Sequence, residues 1–171
     1  MQVRIAGAIA LLWLATGLSL FTQSAPAKTH ASSRNPAKPK TISADDGLSI
    51  IAAALDPAVR RYAGNDCSHL VHAIYQRAGF AYAYDNSDAL YGGVAGFQRV
   101  SKPQPGDIVV WPGHTGIVVH PSRHVFFSFM SNGPATDDYE SQYWKTRGHP
   151  RFYRYIRGHK CSECAPSQPL Q

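Results

Sequence analysis

Residues 65–79 read NDCSHLVHAIYQRAG, a stretch that predicts a helix with a cysteine in its first turn. The helix is predicted from Asp66 to Ala78, and Gly79 is typical of a residue that ends a helix. Its apolar face is formed by Leu70, Val71, Ile74 and Tyr75. Free N–H groups and the helix dipole stabilise a thiolate and a developing oxyanion, so Cys67 is a candidate nucleophile. A buried thiol that packs as a small apolar residue is the alternative.

A second candidate residue, His114, follows the turn Pro112-Gly113 and opens a run of small and β-branched residues that ends at Val119. Imidazole titrates near neutral pH and can accept the proton of a thiol. A cysteine and a histidine that are distant in sequence but adjacent in the fold are the signature of a cysteine nucleophile. The chain has eight histidines, and a hydrogen-bonded turn histidine is the alternative for His114.

The chain divides into a helical first part and a strand-rich second part. Ser43 and the acidic residues after it predict the start of a first helix, and Pro57 either interrupts this helix or begins another. Residues 80–100 are interpreted mostly as loop. Strands are predicted at 108–111, 115–120, 124–130 and 153–157. Helices followed by an antiparallel meander predict an α+β fold.

The first 27 residues predict an export signal. Arg4 gives a positive start, residues 5–21 are mostly apolar, and Ala25-Pro26-Ala27 fits a cleavage site. An uncleaved membrane anchor is the alternative, because the apolar run is near the lower limit of roughly 17 to 25 residues for a spanning helix. Either interpretation predicts an exported domain, in the periplasm, the cell envelope or outside the cell. It would touch a membrane only through this segment.

Beyond the export signal, residues 28–42 are predicted to be a flexible linker and 43–158 one folded domain. Residues 159–171 are expected to be a polar tail. The tail contains two of the three cysteines, Cys161 and Cys164, in C-x-x-C spacing. An exported location favours a local disulfide between them, and a metal-binding or redox role is the remote alternative.

Composition and charge narrow the class of partner. With 44% hydrophobic and 11% aromatic residues, the chain is globular. Its formal net charge of +6 suits a polyanionic partner such as an acidic cell-wall polymer. The segment 144–157 is basic and aromatic, but a solvated edge strand explains it without nucleic acid, and no nucleic-acid motif is present. We therefore expect no nucleic-acid partner.

Three motifs in the same order carry a family resemblance. Residues 66–71, DCSHLV, resemble the DCSGLV helix start of the NlpC family of bacterial cell-wall cysteine endopeptidases. Residues 105–111, PGDIVVW, resemble that family's PGDLVFF strand, and residues 113–119, GHTGIVV, resemble its GHVGIYV. The resemblance extends from about Tyr62 to Arg157.

This resemblance implies a papain-like fold, with N-terminal helices packed on an antiparallel sheet. It implies that Cys67 is the nucleophile and His114 the base in cleavage of peptidoglycan stem peptides, between D-glutamate and a diamino acid. Asp66 and Ser68 would bind the free amino end of the stem peptide, or simply cap the helix. Tyr62 stands where the family carries a binding tyrosine. No metal or organic cofactor is implied, and we expect a monomer.

The sequence departs from the family at three places, one of which is the shortened Tyr-Gly-Gly segment before the nucleophile, where Tyr62 stands. The polar residue that orients the base is usually a histidine on the next strand, and here Ser128 is the best positional match, with His124 and Asn132 as rivals. His69 replaces the glycine of the helix motif, as a substrate contact or as a surface residue. An N-acetylmuramyl-L-alanine amidase, another amide hydrolase and a non-catalytic cell-wall binding domain therefore stay open as alternatives.

Overall fold

The computed structural model describes residues 39–62 and 66–159. The predicted export signal, most of the predicted linker, and Cys161 and Cys164 lie outside the described residues. Within the described part of the chain, no helix is long and apolar enough to cross a membrane.

Helices precede most of the strands, and one antiparallel sheet forms the centre of the fold. The α-helices are α1 (Ala44–Ala54), α2 (Pro57–Tyr62), α3 (Cys67–Arg77), α4 (Ser87–Gly92) and α5 (Gln142–Thr146). The strands are β1 (Phe97–Val100), β2 (Ile108–Trp111), β3 (His114–His120), β4 (Val125–Met130), β5 (Gly133–Asp138) and β6 (Arg151–Tyr155). They lie in the order β1-β6-β2-β3-β4-β5, with every neighbouring pair antiparallel. The predicted α+β, papain-like fold is confirmed.

The helix starts follow the capping residues in the sequence. The hydroxyl of Ser43 accepts a hydrogen bond from the Asp46 N–H at 3.2 Å, and the Asp46 carboxylate accepts one from the Ser43 N–H at 2.7 Å. This reciprocal capping box fixes the start of α1. Pro57 begins a second helix, because proline suits the first turn, where its missing N–H costs nothing.

The sheet contains elements that the sequence did not reveal. Residues 80–100, predicted to be mostly loop, also contain the short helix α4 and the strand β1. The basic, aromatic segment also differs from the prediction, since β6 lies between β1 and β2 and is not an edge strand. β1 forms by pairing with β6, which lies far away in the sequence, and Phe97 lies opposite Tyr155.

The folded domain begins before Ser43, which corrects the predicted boundary of the linker. Thr41 forms a β-bridge with Ile156, and the Ile42 N–H donates to the Tyr155 carbonyl at 3.0 Å. The Ile42 side chain is only 3% exposed. Full burial of an isoleucine stabilises a fold by about 1.5–3 kcal/mol, so residues 41–42 belong to the domain.

The sheet buries both faces. One face packs on α1 and α3 through fully buried aliphatic side chains: Ile50, Leu70, Ile74, Ile108 and Ile117. The other face carries a smaller cluster of Val109, Trp111, Val118, Phe126, Tyr139 and Trp144. α5 supplies Trp144 to this second cluster. The start of β3 is therefore enclosed by α3 on one side and by α5 on the other.

The Pro-Gly-Asp motif before β2 is structural. Gly106 has a φ of +84°, and a Cβ placed there would lie 2.5 Å from the Gly47 Cα of α1. The next residue, Asp107, is fully buried, and its carboxylate accepts two hydrogen bonds from the Arg154 guanidinium, at 2.9 and 2.8 Å. The motif lets α1 approach the sheet closely and ties the start of β2 to β6.

Candidate active site

Cys67 is the first residue of α3, as the sequence predicts. Asp66 caps the helix, and its Oδ1 accepts hydrogen bonds from the backbone N–H groups of Ser68 at 2.9 Å and His69 at 3.0 Å. The N–H groups of a helix's first turn have no partners within the helix. The Cys67 sulfur therefore lies beside backbone donors and the positive end of the helix dipole.

A cleft of about 590 Å3 opens at the thiol. Its walls are Asp66 and Cys67 on one side and the β4–β5 turn on the other: Phe129, Met130, Ser131, Asn132 and Gly133. Cys67 is partly buried, and 48% of the Asp66 side chain is exposed. A substrate in the cleft would meet the thiol and a carboxylate together.

The sulfur of Cys67 lies against the start of β3. Burial raises the pKa of the Cys67 thiol, and a backbone hydrogen bond from Thr115 opposes this effect by favouring the thiolate. The negative charge of Asp66 raises the pKa further. Burial is the larger effect, so the thiol is protonated in the substrate-free protein.

His114 is the first residue of β3, opposite Trp111 across the Pro112-Gly113 turn. α3, which begins at Cys67, packs against β3, which begins at His114. The turn itself is fixed from α4, because the Gly113 N–H donates to the Asp88 carboxylate at 2.8 Å.

The imidazole of His114 lies in an aromatic environment. Its ring centroid is 4.7 Å from that of Trp144, 6.3 Å from Trp111 and 6.4 Å from Phe126. Burial lowers the pKa of His114 to about 4, and the positive charge of Arg147 lowers it as well, against the opposite effect of Asp66. The imidazole is therefore neutral at physiological pH and able to accept a proton.

Ser128 does not orient His114, which corrects the sequence prediction. The buried Ser128 hydroxyl donates to the Thr115 carbonyl at 2.5 Å. The Nε2 atom of His114 is buried and has no hydrogen-bond partner among the described residues. Neither rival takes that place: the His124 ring packs on Tyr139 at 5.2 Å, and Asn132 lies in the wall of the cleft.

A polar cluster adjoins the thiol on the outer side of α3. The Asp66 Oδ1 accepts the Ser68 hydroxyl at 2.5 Å, and the Tyr84 hydroxyl lies 3.0 Å from the Ser68 Oγ and 3.2 Å from the His69 Nδ1. Burial raises the pKa of Asp66, but hydrogen bonds from Ser68 and His69 outweigh it and lower the pKa. Asp66 is thus ionised at neutral pH.

Tyr84 is the member of this cluster that the sequence did not indicate. It lies outside any helix or strand, 43% exposed, and its ring stacks on His69 at 4.3 Å. Tyr62, the predicted binding tyrosine, is the last residue of α2, and its side chain lies outside the described part of the structure. Among the described residues, no group of three or more His, Cys, Asp or Glu side chains could hold a metal ion.

The chain was compared with known protein families, curated proteins and solved structures. Residues 58–130, which include Cys67, His114 and Ser128, match the sequence model of the CHAP domain, a cysteine/histidine-dependent amidohydrolase/peptidase. A search of curated proteins found none that matches the sequence. A solved structure from Staphylococcus aureus subsp. aureus Mu50, described as similar to a lipoprotein of the NLP/P60 family, matches with a TM-score of 0.51 at 20% identity. The match covers 70% of this chain and 44% of the staphylococcal chain.

The fold is the papain-like α+β fold that the sequence predicts, with Cys67 at the start of α3 and His114 at the start of β3. The CHAP match over residues 58–130 and the NLP/P60-like fold agree with the predicted cysteine peptidase or amidase. The predicted family resemblance and enzyme class are thereby confirmed. The chain spans less than half of the length of the solved relative that it matches.

Proposed function

We propose that this protein hydrolyses amide bonds in peptidoglycan stem peptides, with Cys67 as nucleophile and His114 as general base. The observation that carries the proposal is that Cys67 opens onto the cleft at the start of α3, while α3 packs against β3, whose first residue is His114. The CHAP match over both residues supports the same chemistry.

The proposed reaction starts from a neutral thiol and a neutral imidazole, because burial disfavours the charged form of each group. His114 takes the thiol proton as the sulfur attacks the carbonyl carbon of the amide. The Cys67 N–H, at the start of α3, stabilises the oxyanion. His114 then protonates the leaving amine, and water hydrolyses the thioester to regenerate the thiol. No step requires a metal or an organic cofactor.

The bond that we propose for cleavage is the one between D-glutamate and the diamino acid. A stem peptide with a free amino end would place its ammonium group against the ionised Asp66 carboxylate, beside the hydroxyls of Ser68 and Tyr84. The Asp66 Oδ1 also caps the helix, so the proposal gives Asp66 both of its predicted roles. Residues 1–27 are proposed to export the domain to the cell envelope, where this polymer lies.

The test is digestion of purified muropeptides of defined structure, with products identified by mass spectrometry. Products cut between D-glutamate and the diamino acid support the proposed bond. Products cut between N-acetylmuramic acid and L-alanine identify an amidase, the alternative that the CHAP match keeps open. Binding of sacculi without any cleavage would contradict the enzymatic proposal. His114→Ala is the control, because it removes the base and leaves the thiol in place.

A further inference from the structure

The base of this site lacks the usual polar partner. In cysteine and serine hydrolases, a third polar group holds the imidazole in its reactive orientation. Here the buried Nε2 of His114 has no hydrogen-bond partner among the described residues. The Ser128 hydroxyl donates its hydrogen bond to a backbone carbonyl instead. Some other feature must restrict rotation of the ring.

Trp144 of α5 is the aromatic side chain that lies nearest to the imidazole. The two ring centroids are 4.7 Å apart, with an angle of 36° between the ring planes. Trp144 is only 2% exposed, and its other contacts are with Trp111 at 4.6 Å and Phe126 at 5.1 Å. A ring packed among rings that cannot move is restricted in rotation even without a hydrogen bond.

Two residues outside the aromatic cluster, Asp137 and Arg147, contact the Trp144 side chain. Its Nε1–H donates to the Asp137 Oδ2 of β5 at 2.8 Å. The Arg147 guanidinium lies over the Trp144 ring at 5.5 Å and reaches the Pro112 carbonyl, in the turn before His114, at 3.5 Å. A surface carboxylate on the edge strand is therefore connected to the base through one indole.

We propose that Trp144, fixed by Asp137, is the positioning residue for His114 and takes the place of the polar third residue. The inference rests on the proposed role of His114 as base. The charged groups that act on His114 are Arg147, which follows α5, and Asp66 at the start of α3. Asp137 acts only through the indole, so its contribution depends on a hydrogen bond and not on its charge.

Four substitutions separate the hydrogen bond from the charge. Asp137→Ala removes both the charge and the bond to Trp144, whereas Asp137→Asn removes the charge and keeps an oxygen acceptor. Trp144→Phe keeps an aromatic ring and removes the N–H. Asp138→Asn is the matched control, because Asp138 accepts from the Glu140 backbone N–H and not from Trp144.

Two measurements on the full chain test the proposal. The first is kcat and KM for muropeptide cleavage. The second is the rate at which iodoacetamide alkylates Cys67 as a function of pH, resolved from the other cysteines by peptide mass spectrometry. The alkylation profile needs no substrate, and His114→Ala shows which inflection belongs to the imidazole.

We expect Asp137→Ala and Trp144→Phe each to lower kcat about 10-fold with little change in KM, because a misplaced base affects the chemical step. The inflection of His114 should move to higher pH as water reaches the ring. Asp137→Asn should recover most of the rate, and Asp138→Asn should match the wild type. The double variant should be no slower than either single variant, because both changes break one contact.

The proposal is wrong if Asp137→Ala matches Asp138→Asn in both measurements, or if Trp144→Phe is fully active while Asp137→Ala is not. If the substitutions lower the unfolding temperature but leave the His114 inflection in place, the role of Trp144 is purely structural. That outcome also contradicts the proposal. If Asp137→Ala does not fold, Trp144→Phe carries the test alone. Absence of cleavage by the wild type would contradict the proposed function, but the alkylation profiles would still decide the role of Trp144.

Discussion

The hydroxyl of Ser128 donates a hydrogen bond to the backbone carbonyl of Thr115, 2.5 Å away and fully buried. The β3–β4 register pairs Ile117 with Phe127 and does not continue to Thr115. The Thr115 carbonyl therefore takes the Ser128 hydroxyl as its partner in place of a β4 backbone N–H.

Ser128→Ala should destabilise the fold more than it changes the chemistry. It leaves the Thr115 carbonyl buried without a partner, which costs about 1–3 kcal/mol of unfolding free energy. Urea unfolding measures this cost, with the exposed Ser101→Ala as control. The acid limb of the pH–rate profile should stay in place. A shifted acid limb with unchanged stability would mean that Ser128 acts on His114 after all.

The pH dependence of kcat/KM should show an acid limb well below the ordinary histidine range. Burial lowers the pKa of His114 to about 4, and the reaction needs the neutral imidazole. Activity should therefore be present above this pKa and be lost as the pH falls through it. Arg147→Gln removes a positive charge that lowers the pKa, so its acid limb should lie at higher pH. A wild-type limb near 6.5, the unperturbed value, would contradict the buried neutral base.

Asp66→Asn should weaken binding of substrates that carry a free amino end. The amide oxygen can still cap α3, but the charge that attracts an ammonium group is gone. We expect KM to rise about 10-fold, the equivalent of one charge-assisted hydrogen bond. Acetylation of the substrate amine should raise KM for the wild type and have little further effect on the variant. Equal KM values for free and acetylated substrates in the wild type would exclude this binding mode.

Gly106→Ala should destabilise the domain more than Gly79→Ala, which imposes the same backbone strain. Gly106 and Gly79 have φ values of +84° and +85°, so alanine is strained at both, by about 1–2 kcal/mol. A Cβ at Gly106 also meets the backbone of Gly47 at 2.5 Å, whereas nothing lies within 4 Å at Gly79. Chemical unfolding of the two variants measures the difference. Equal losses of stability would show that the close approach of α1 is not needed.

The elements that the sequence predicts well are those with a strong local pattern. α3 combines a capping aspartate, a 3.6-residue apolar period and a C-terminal glycine. β2 and β3 are runs of apolar, small and β-branched residues that end at turns. β5 reads GPATDD and has no apolar alternation. Its strand conformation comes from pairing with β4, for example Ser128 with Ala135, and no local signal contains that information.

The residues of the candidate site fall into the same two groups, those with a readable local sequence signal and those without one. Cys67 and His114 stand in motifs whose spacing and chemistry are readable, so the sequence predicts their roles. Ser128 is on the expected strand, but the pattern does not say which atom its hydroxyl contacts. Tyr84 and Trp144 reach the site from a loop and from a five-residue helix that lie far from Cys67 in the chain. Only the three-dimensional packing places these two residues.

The measurement that tests the central claim most directly is the initial rate of muropeptide cleavage by the wild type and by Cys67→Ala. The variant removes one sulfur atom and leaves the cap by Asp66, the base and the cleft in place. We predict a loss of at least about a thousandfold in kcat, since the reaction has no other nucleophile. A folded Cys67→Ala variant that still cleaves at a rate comparable to the wild type would contradict the thiol mechanism.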